Sequence, residues 1–228
     1  AGMPVRMVVS GAPNLQGADQ SERRQHFIQE FDWIRRALMF EPRGHSAMSG
    51  SIIYPPSSDD FDMGVIYIET TGSLPMCGHG TIGTATFALE RDLVTPKTQG
   101  LLRLETPAGR VDVQYVREGE KVTSAKLINV PSFLMYRDME IESPDLGPLK
   151  VDIAYGGNFY PIIERQEHFK DLKEHDAPSL IQMGIRLREA IEGAYEIVHP
   201  LDPSISGLRH CMWTGEALHT GSDARGCV

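Results

Sequence analysis

The chain has 228 residues, of which 41% are hydrophobic and 23% are charged. This composition supports one large or two small folded domains and excludes intrinsic disorder. The net charge of -9, without a run of lysine or arginine, argues against a nucleic-acid surface, and no apolar run approaches membrane-spanning length. Three cysteines without CxxC spacing do not make a disulfide framework, so we expect a reducing, cytoplasmic location.

The first predicted elements are a strand over 4–10 and a helix over 21–40, which Pro42 and Gly44 end. Charged side chains, Arg24 among them, lie mostly away from the apolar face of this helix. The apolar residues at helical spacing are Phe27, Phe31, Ile34 and Leu38. Trp33 and Met39 also fit as core residues.

Short strands separated by turns dominate the rest of the chain. They are predicted at 51–54, 63–69, 101–105, 110–116, 122–130, 151–155, 159–163 and 208–214. One helix is predicted over 81–90, and a second begins near Pro178 with Asp176 as its cap. Its expected buried residues are Leu180, Met183, Leu187 and Ile191. This order indicates an α+β fold. The turn-rich, polar stretch 135–150 predicts a boundary between domains 1–134 and 135–228.

The segment Met76-Cys77-Gly78-His79-Gly80-Thr81 carries the main chemical signal, because it places a thiol between a strand and a helix. A helix N-terminus has free N–H groups and a positive dipole end, and both favour the reactive thiolate. The same N–H groups can hold a carboxylate, and Gly78 and Gly80 allow it to approach the backbone. The segment therefore predicts a base beside an anion site.

Two other interpretations of Cys77 stay open at this point. It fits equally a small buried residue that caps a core helix, since buried cysteines are often inert. A Cys-Gly-His metal site would have two ligands one residue apart and no second pair nearby, which suits zinc poorly, so we expect no metal.

The cysteine segment resembles the first cysteine motif of the proline racemase family, and the glycine after the histidine resembles the pattern of its bacterial 4-hydroxyproline 2-epimerases. Similar segments extend over essentially the whole chain. They are 41–45 (EPRGH), 48–51 (MSGS), 151–159 (VDIAYGGNF) and 210–215 (HCMWTG).

This resemblance implies a fold like that of diaminopimelate epimerase, with two pseudo-symmetric halves that each wrap strands around a central helix. It also implies a homodimer, no cofactor, and an imino acid bound between two thiols. One thiolate removes the Cα proton while the opposite thiol delivers another, which epimerises 4-hydroxyproline at Cα. By the same resemblance Cys77 is an acid/base catalyst, and Gly78, His79 and His210 contact the substrate. The alternatives are a structural role for His79 and a strand position for His210 with backbone hydrogen bonds.

The second cysteine motif of the family is absent from this sequence. Cys227 lacks the Gly-Thr-Gly that should follow it, and Cys211 fits a core position. We therefore expect the second half to be incomplete at its C-terminus, through a fragment or through natural truncation. A third explanation is threonine in place of the second cysteine, as in family dehydratases. Proline racemase activity, and a protein that binds without catalysis, remain the alternative functions.

Overall fold

The computed structural model describes residues 3–228, which form two compact units. The first unit ends at Val130, and the second runs from Pro131 to Val228. The predicted boundary after residue 134 falls inside the first strand of the second unit, Phe133–Ser143. The α+β fold class expected from the sequence is confirmed.

The first unit contains one sheet and three α-helices within residues 3–130. Its elements are β1 (Val5–Val8), α1 (Gln20–Glu30), α2 (Asp32–Met39), β2 (Ser49–Tyr54), β3 (Met63–Glu69), β4 (Gly72–Leu74), α3 (Gly78–Glu90), β5 (Leu101–Thr106), β6 (Gly109–Glu118) and β7 (Lys121–Ile128). The sheet order is β1-β2-β3-β5-β6-β7, and β4 pairs with β3. Helix α3 packs against β1 and β2 at one end of the sheet and against β7 at the other, so the sheet curls around α3.

Strand β3 is covered on both faces, which explains its unbroken apolar sequence. One face packs against α1 and α2 in a cluster that includes Phe27, Met39 and Ile66. Helix α3 lies at the other face, where the hydroxyl of its Thr81 is 2.6 Å from the Tyr67 hydroxyl, and its Ala85 and Ala88 are fully buried. Helix α3 is therefore the interior element of this unit.

The second unit repeats this plan with a shorter sheet. Its elements are β8 (Phe133–Ser143), β9 (Gly147–Tyr155), β10 (Phe159–Ile163), α4 (Ala177–Ala194), β11 (Met212–Gly215) and β12 (Arg225–Cys227). The order is β12-β11-β10-β9-β8. Helix α4 packs on β8, and its Gly184 carbonyl accepts a hydrogen bond from the Cys211 thiol at 3.3 Å, just before β11. The predicted Asp176 cap is confirmed, since its side chain accepts from the Ser179 N–H.

The single helix predicted over 21–40 is wrong, because the chain breaks at Phe31 into α1 and α2. Phe31 leaves the helical region, and the Arg35 side chain then pairs with Asp32 and donates to the carbonyls of Glu69 and Thr70. These tertiary contacts have no signature in the local sequence. Two placements also change: Arg24 is buried, whereas Trp33 is 65% exposed and is no core residue.

The turn-rich stretch predicted at 135–150 is also wrong, because β8 and β9 form a hairpin there. Met139, Ile141 and Ser143 alternate with exposed acidic residues, which is the period-two pattern of a strand with one face in solvent. The acidic residues of this stretch make the alternation hard to recognise in the sequence. Only the short stretch 144–146 between the two strands is a turn.

Candidate active site

The Cys77 segment leaves the sheet through the β3–β4 hairpin and enters α3 directly. Cys77 is the N-cap, with extended backbone angles (φ -143°, ψ 113°), and the helix begins at Gly78 rather than at the predicted Thr81. The first helical hydrogen bond runs from the Thr81 N–H to the Cys77 carbonyl at 2.8 Å. The thiol therefore projects from the start of the helix, as the sequence predicts.

A chain of buried hydroxyl groups fixes this helix start to the sheet. The Thr81 hydroxyl donates to the Cys77 carbonyl at 2.7 Å, so it accepts from the Tyr67 hydroxyl, which lies 2.6 Å away. One turn later, the hydroxyls of Ser51 on β2 and Thr84 on α3 are 2.6 Å apart. Because these groups are buried and bonded, the position of Cys77 relative to β2 and β3 is well determined.

The Cys77 side chain is 7% exposed, and this burial raises the pKa of its thiol to about 11. Hydrogen bonds from the Gly80 N–H and from the Ser49 side chain lower the pKa, but by less than burial raises it, and the Glu69 carboxylate raises it further. The expected preference for thiolate is therefore wrong for the free protein. The hydrogen bond from the helix N-terminus lowers the pKa of the thiol, but desolvation raises this pKa by more.

His79 lies against the same sulfur, with its Nδ1 atom 3.5 Å from Cys77 Sγ. Burial lowers the pKa of the imidazole, so it is neutral at pH 7, while the Glu69 carboxylate acts in the opposite direction. Its Nε2 atom is buried and has no hydrogen-bond partner within residues 3–228. Cys77 and His79, both predicted site residues, are therefore adjacent in the structure.

The two glycines predicted to admit a carboxylate differ in their surroundings. A Cβ atom at Gly78 would meet only Leu127 Cδ2, at 3.9 Å, whereas a Cβ atom at Gly80 would lie 3.0 Å from Cys77 Sγ. The open approach is therefore at Gly78. The N–H groups of Gly78 and His79 precede Thr81, the first donor of the helical hydrogen bonds, and the Gly80 N–H lowers the pKa of the Cys77 thiol. The anion site predicted from the sequence therefore narrows to the N–H groups of Gly78 and His79, the first two of α3.

His210 and the two other cysteines belong to the second unit. His210 is partly buried and lies two residues before β11. Cys211 is buried, which raises the pKa of its thiol to about 12, and it is bonded to Gly184, as a core position predicts. Cys227 is exposed in β12. Within residues 3–228, no group of three or more His, Cys, Asp or Glu side chains is placed to hold a metal ion.

Comparison with known proteins places this site in a family. The family model described as proline racemase matches residues 1–228. A 4-hydroxyproline 2-epimerase of Ancylobacter novellus is 55% identical over 227 residues, which are 100% of this chain and 68% of that protein. The chain belongs to the proline racemase family. It spans about two thirds of the length of such relatives.

Two solved structures show the same family fold. A probable proline racemase from Agrobacterium radiobacter, with bound carbonate, has a TM-score of 0.88 at 28% identity, over 99% of this chain and 67% of that one. A hydroxyproline epimerase from Agrobacterium vitis, with bound trans-4-hydroxy-L-proline, has a TM-score of 0.87 at 24% identity, over 99% and 66%. The resemblance stated from the sequence is confirmed at the level of family and fold.

Sequence reasoning missed three residues that surround the sulfur: Ser49, Tyr67 and Glu69. Ser49 stands opposite Glu69 in the β2–β3 register, inside one of the segments that carry the family resemblance. Tyr67 lies in an apolar strand pattern, and a tyrosine in a fully buried strand indicates a hydrogen-bond partner for its hydroxyl. None of the helices within residues 3–228 is long and apolar enough to span a membrane.

Proposed function

We propose that this protein epimerises 4-hydroxyproline at Cα without a cofactor, with Cys77 as one of two acid/base groups. The observation that carries the proposal is the Cys77 thiol at the N-cap of α3, beside the N–H groups of Gly78 and His79. Relatives that are 53–55% identical over the whole chain, and that are named 4-hydroxyproline 2-epimerase or 4-hydroxyproline epimerase, support the choice of substrate.

The first step places the substrate carboxylate on the Gly78 and His79 N–H groups. These donors sit at the positive end of the helix dipole, so they stabilise the negative charge that develops on the carboxylate when the Cα proton leaves. The open space beside Gly78 suits this approach. His210, from the second unit, is proposed as a further substrate contact.

The proton transfers conserve charge and need no oxidant. The Cys77 thiolate takes the Cα proton from one face, and an acid on the opposite face returns a proton, which inverts the centre. For the opposite stereoisomer Cys77 acts as the donor. Because the pKa of its thiol is about 11 in the free protein, Cys77 is protonated before substrate binds and is ready to act as the proton donor. The cationic ring nitrogen of the bound imino acid would lower that pKa and favour the thiolate.

The test measures Cα exchange and inversion separately on trans-4-hydroxy-L-proline in heavy water, by mass spectrometry and chiral chromatography. In Cys77→Ser the rates of exchange and of inversion should both fall by about 10²–10⁴-fold, the usual contribution of a positioned acid or base. Cys227→Ser, at an exposed position, is the matched control and should retain them. Unchanged turnover in Cys77→Ser would refute the role of Cys77.

Proline racemase activity is the second candidate, because a probable proline racemase is among the solved structures of this fold at 28% identity. The same assay with L-proline separates the two substrates. A faster rate on L-proline than on trans-4-hydroxy-L-proline would identify the protein as a proline racemase instead. Binding of either ligand by calorimetry, with neither exchange nor inversion, would instead identify a non-catalytic binding protein.

The proposal also includes a homodimer in a reducing, cytoplasmic compartment. Within the described part of the chain all three cysteines are free thiols, which supports the reducing compartment. Light scattering after gel filtration tests the dimer, and a monomeric mass at assay concentration would contradict it. The two structural units are proposed to be the two halves of one epimerase fold.

A further inference from the structure

Three glycines occupy the first six residues of α3, at positions 78, 80 and 83. Glycine in a helix is less favourable than alanine by about 1 kcal/mol, so a cluster of glycines needs a reason. Gly83 has a packing reason, because its Cβ would lie 2.9 Å from Val5 Cγ2 on β1. Gly78 faces open space, where the proposed carboxylate would approach. Gly80 requires a different explanation.

The space beside Gly80 is filled by the reactive cysteine itself. A Cβ atom at position 80 would lie 3.0 Å from Cys77 Sγ, 3.2 Å from Cys77 Cβ and 3.3 Å from Tyr67 Cδ1. Ordinary contacts between such atoms are about 3.5–4.0 Å. All three distances are therefore too short, and one or more of these groups would have to move.

Tyr67 and the Cys77 backbone are both held in place. The Tyr67 hydroxyl is bonded to Thr81, and the Cys77 carbonyl accepts from both the N–H and the hydroxyl of Thr81. The sulfur, in contrast, can turn about a single bond. A side chain at position 80 would therefore displace the sulfur, and with it the contacts to the Gly80 N–H and to His79 Nδ1.

We propose that Gly80 is a positioning residue for Cys77: its missing side chain provides the space that the sulfur occupies. This inference rests on the proposed function only for its effect on turnover. The placement of the sulfur is measurable without any substrate.

The experiment measures alkylation of Cys77 by iodoacetamide as a function of pH, with mass spectrometry to follow the Cys77 peptide apart from those of Cys211 and Cys227. Gly80→Ala should slow alkylation at pH 8 by at least about threefold and raise the apparent pKa, since the thiolate loses a hydrogen-bond donor. In the epimerase assay kcat should fall about tenfold with KM within about twofold, because the N–H groups of Gly78 and His79 remain.

Gly83→Ala is the matched control. It adds the same methyl group on the same helix against Val5, at a comparably short distance. It should lower the melting temperature without changing the pH profile of Cys77 alkylation. An unchanged pH profile in Gly80→Ala, or an equal change in Gly83→Ala, would overturn the proposal.

A double-mutant comparison covers the case in which Gly80→Ala folds poorly. In a Cys77→Gly background both the sulfur and its Cβ are absent, so Gly80→Ala should lower the melting temperature by clearly less than it does in the unaltered protein. An equal loss in both backgrounds would show that the sulfur is not what excludes a side chain at position 80. Activity of Cys77→Ser reports on the proposed function independently of these measurements.

Discussion

The hydroxyl of Tyr67, in the buried strand β3, lies 2.6 Å from the hydroxyl of Thr81 and donates to it, because Thr81 donates in turn to the Cys77 carbonyl. This link joins the centre of the first sheet to the backbone of Cys77. Burial raises the pKa of the Tyr67 phenol far above its ordinary value, which disfavours ionisation of this donor. The helix start is therefore anchored by a group from the core.

Tyr67→Phe should lower the free energy of unfolding by about 1–2 kcal/mol, the usual effect of losing one buried hydrogen bond. Urea denaturation followed by circular dichroism measures this change. Tyr54→Phe is the matched control, because the Tyr54 hydroxyl is buried without a hydrogen-bond partner among residues 3–228. Its loss should be neutral or slightly stabilising. Equal destabilisation by the two substitutions would contradict the anchoring role of Tyr67.

The buried thiol of Cys211 should make the second unit sensitive to alkali. Burial raises its pKa from 9.0 to about 12 in the folded chain. The unfolded chain therefore binds fewer protons above pH 9, and the free energy of unfolding should fall as pH rises from there through 12. The slope from one thiol reaches at most about 1.4 kcal/mol per pH unit.

Cys211→Ala should flatten this alkaline slope, which urea denaturation at several pH values between 8 and 11 measures. The slope matters here, since the smaller side chain also changes stability at every pH by a constant amount. Cys227→Ala controls for the loss of a cysteine at an exposed position. A slope identical to that of the unaltered protein in Cys211→Ala would contradict the burial of an un-ionised thiol.

Arg24→Met should destabilise the first unit by about 3 kcal/mol, the effect of losing charge-assisted hydrogen bonds to a buried acceptor. The guanidinium donates through Nε and Nη2 to the Ser73 carbonyl at 2.9 and 2.8 Å, which ties α1 to β4. Methionine keeps most of the apolar side chain. Arg23→Met is the neighbouring control, because its side chain bonds the Pro55 carbonyl in an exposed setting, and it should change stability by less than 1 kcal/mol. Comparable losses in both variants would argue against the α1–β4 tie.

The sequence predicts the elements whose apolar pattern is local. Strand β10 has the predicted bounds, and α4 has the predicted cap and the predicted buried face. The break at Phe31 and the burial of Arg24 depend instead on carbonyl groups of residues far along the chain. The spacing of apolar residues within α1 and α2 carries no information about those carbonyl partners.

The same distinction applies to the candidate site. The motif predicts the thiol at a helix start, and the adjacent histidine follows from the spacing. The protonation state does not follow, because it depends on whether burial of the sulfur raises the pKa by more than the hydrogen bonds from Gly80 and Ser49 lower it. The helix start, which the sequence predicts, lowers the pKa of the thiol. The desolvation that raises this pKa by more depends on burial, which only the three-dimensional structure shows.

Strand β3 supplies both the centre of the first sheet and the hydroxyl that anchors the start of α3 at Cys77. Substitutions that destabilise this strand should therefore change the position of the sulfur. Substitutions around the sulfur that change its pKa should in turn alter the packing of the strand. Under the proposed function we therefore expect selection for turnover and selection for thermal tolerance to act on the same residues here. We expect variants selected for one property to carry compensating changes for the other around Tyr67.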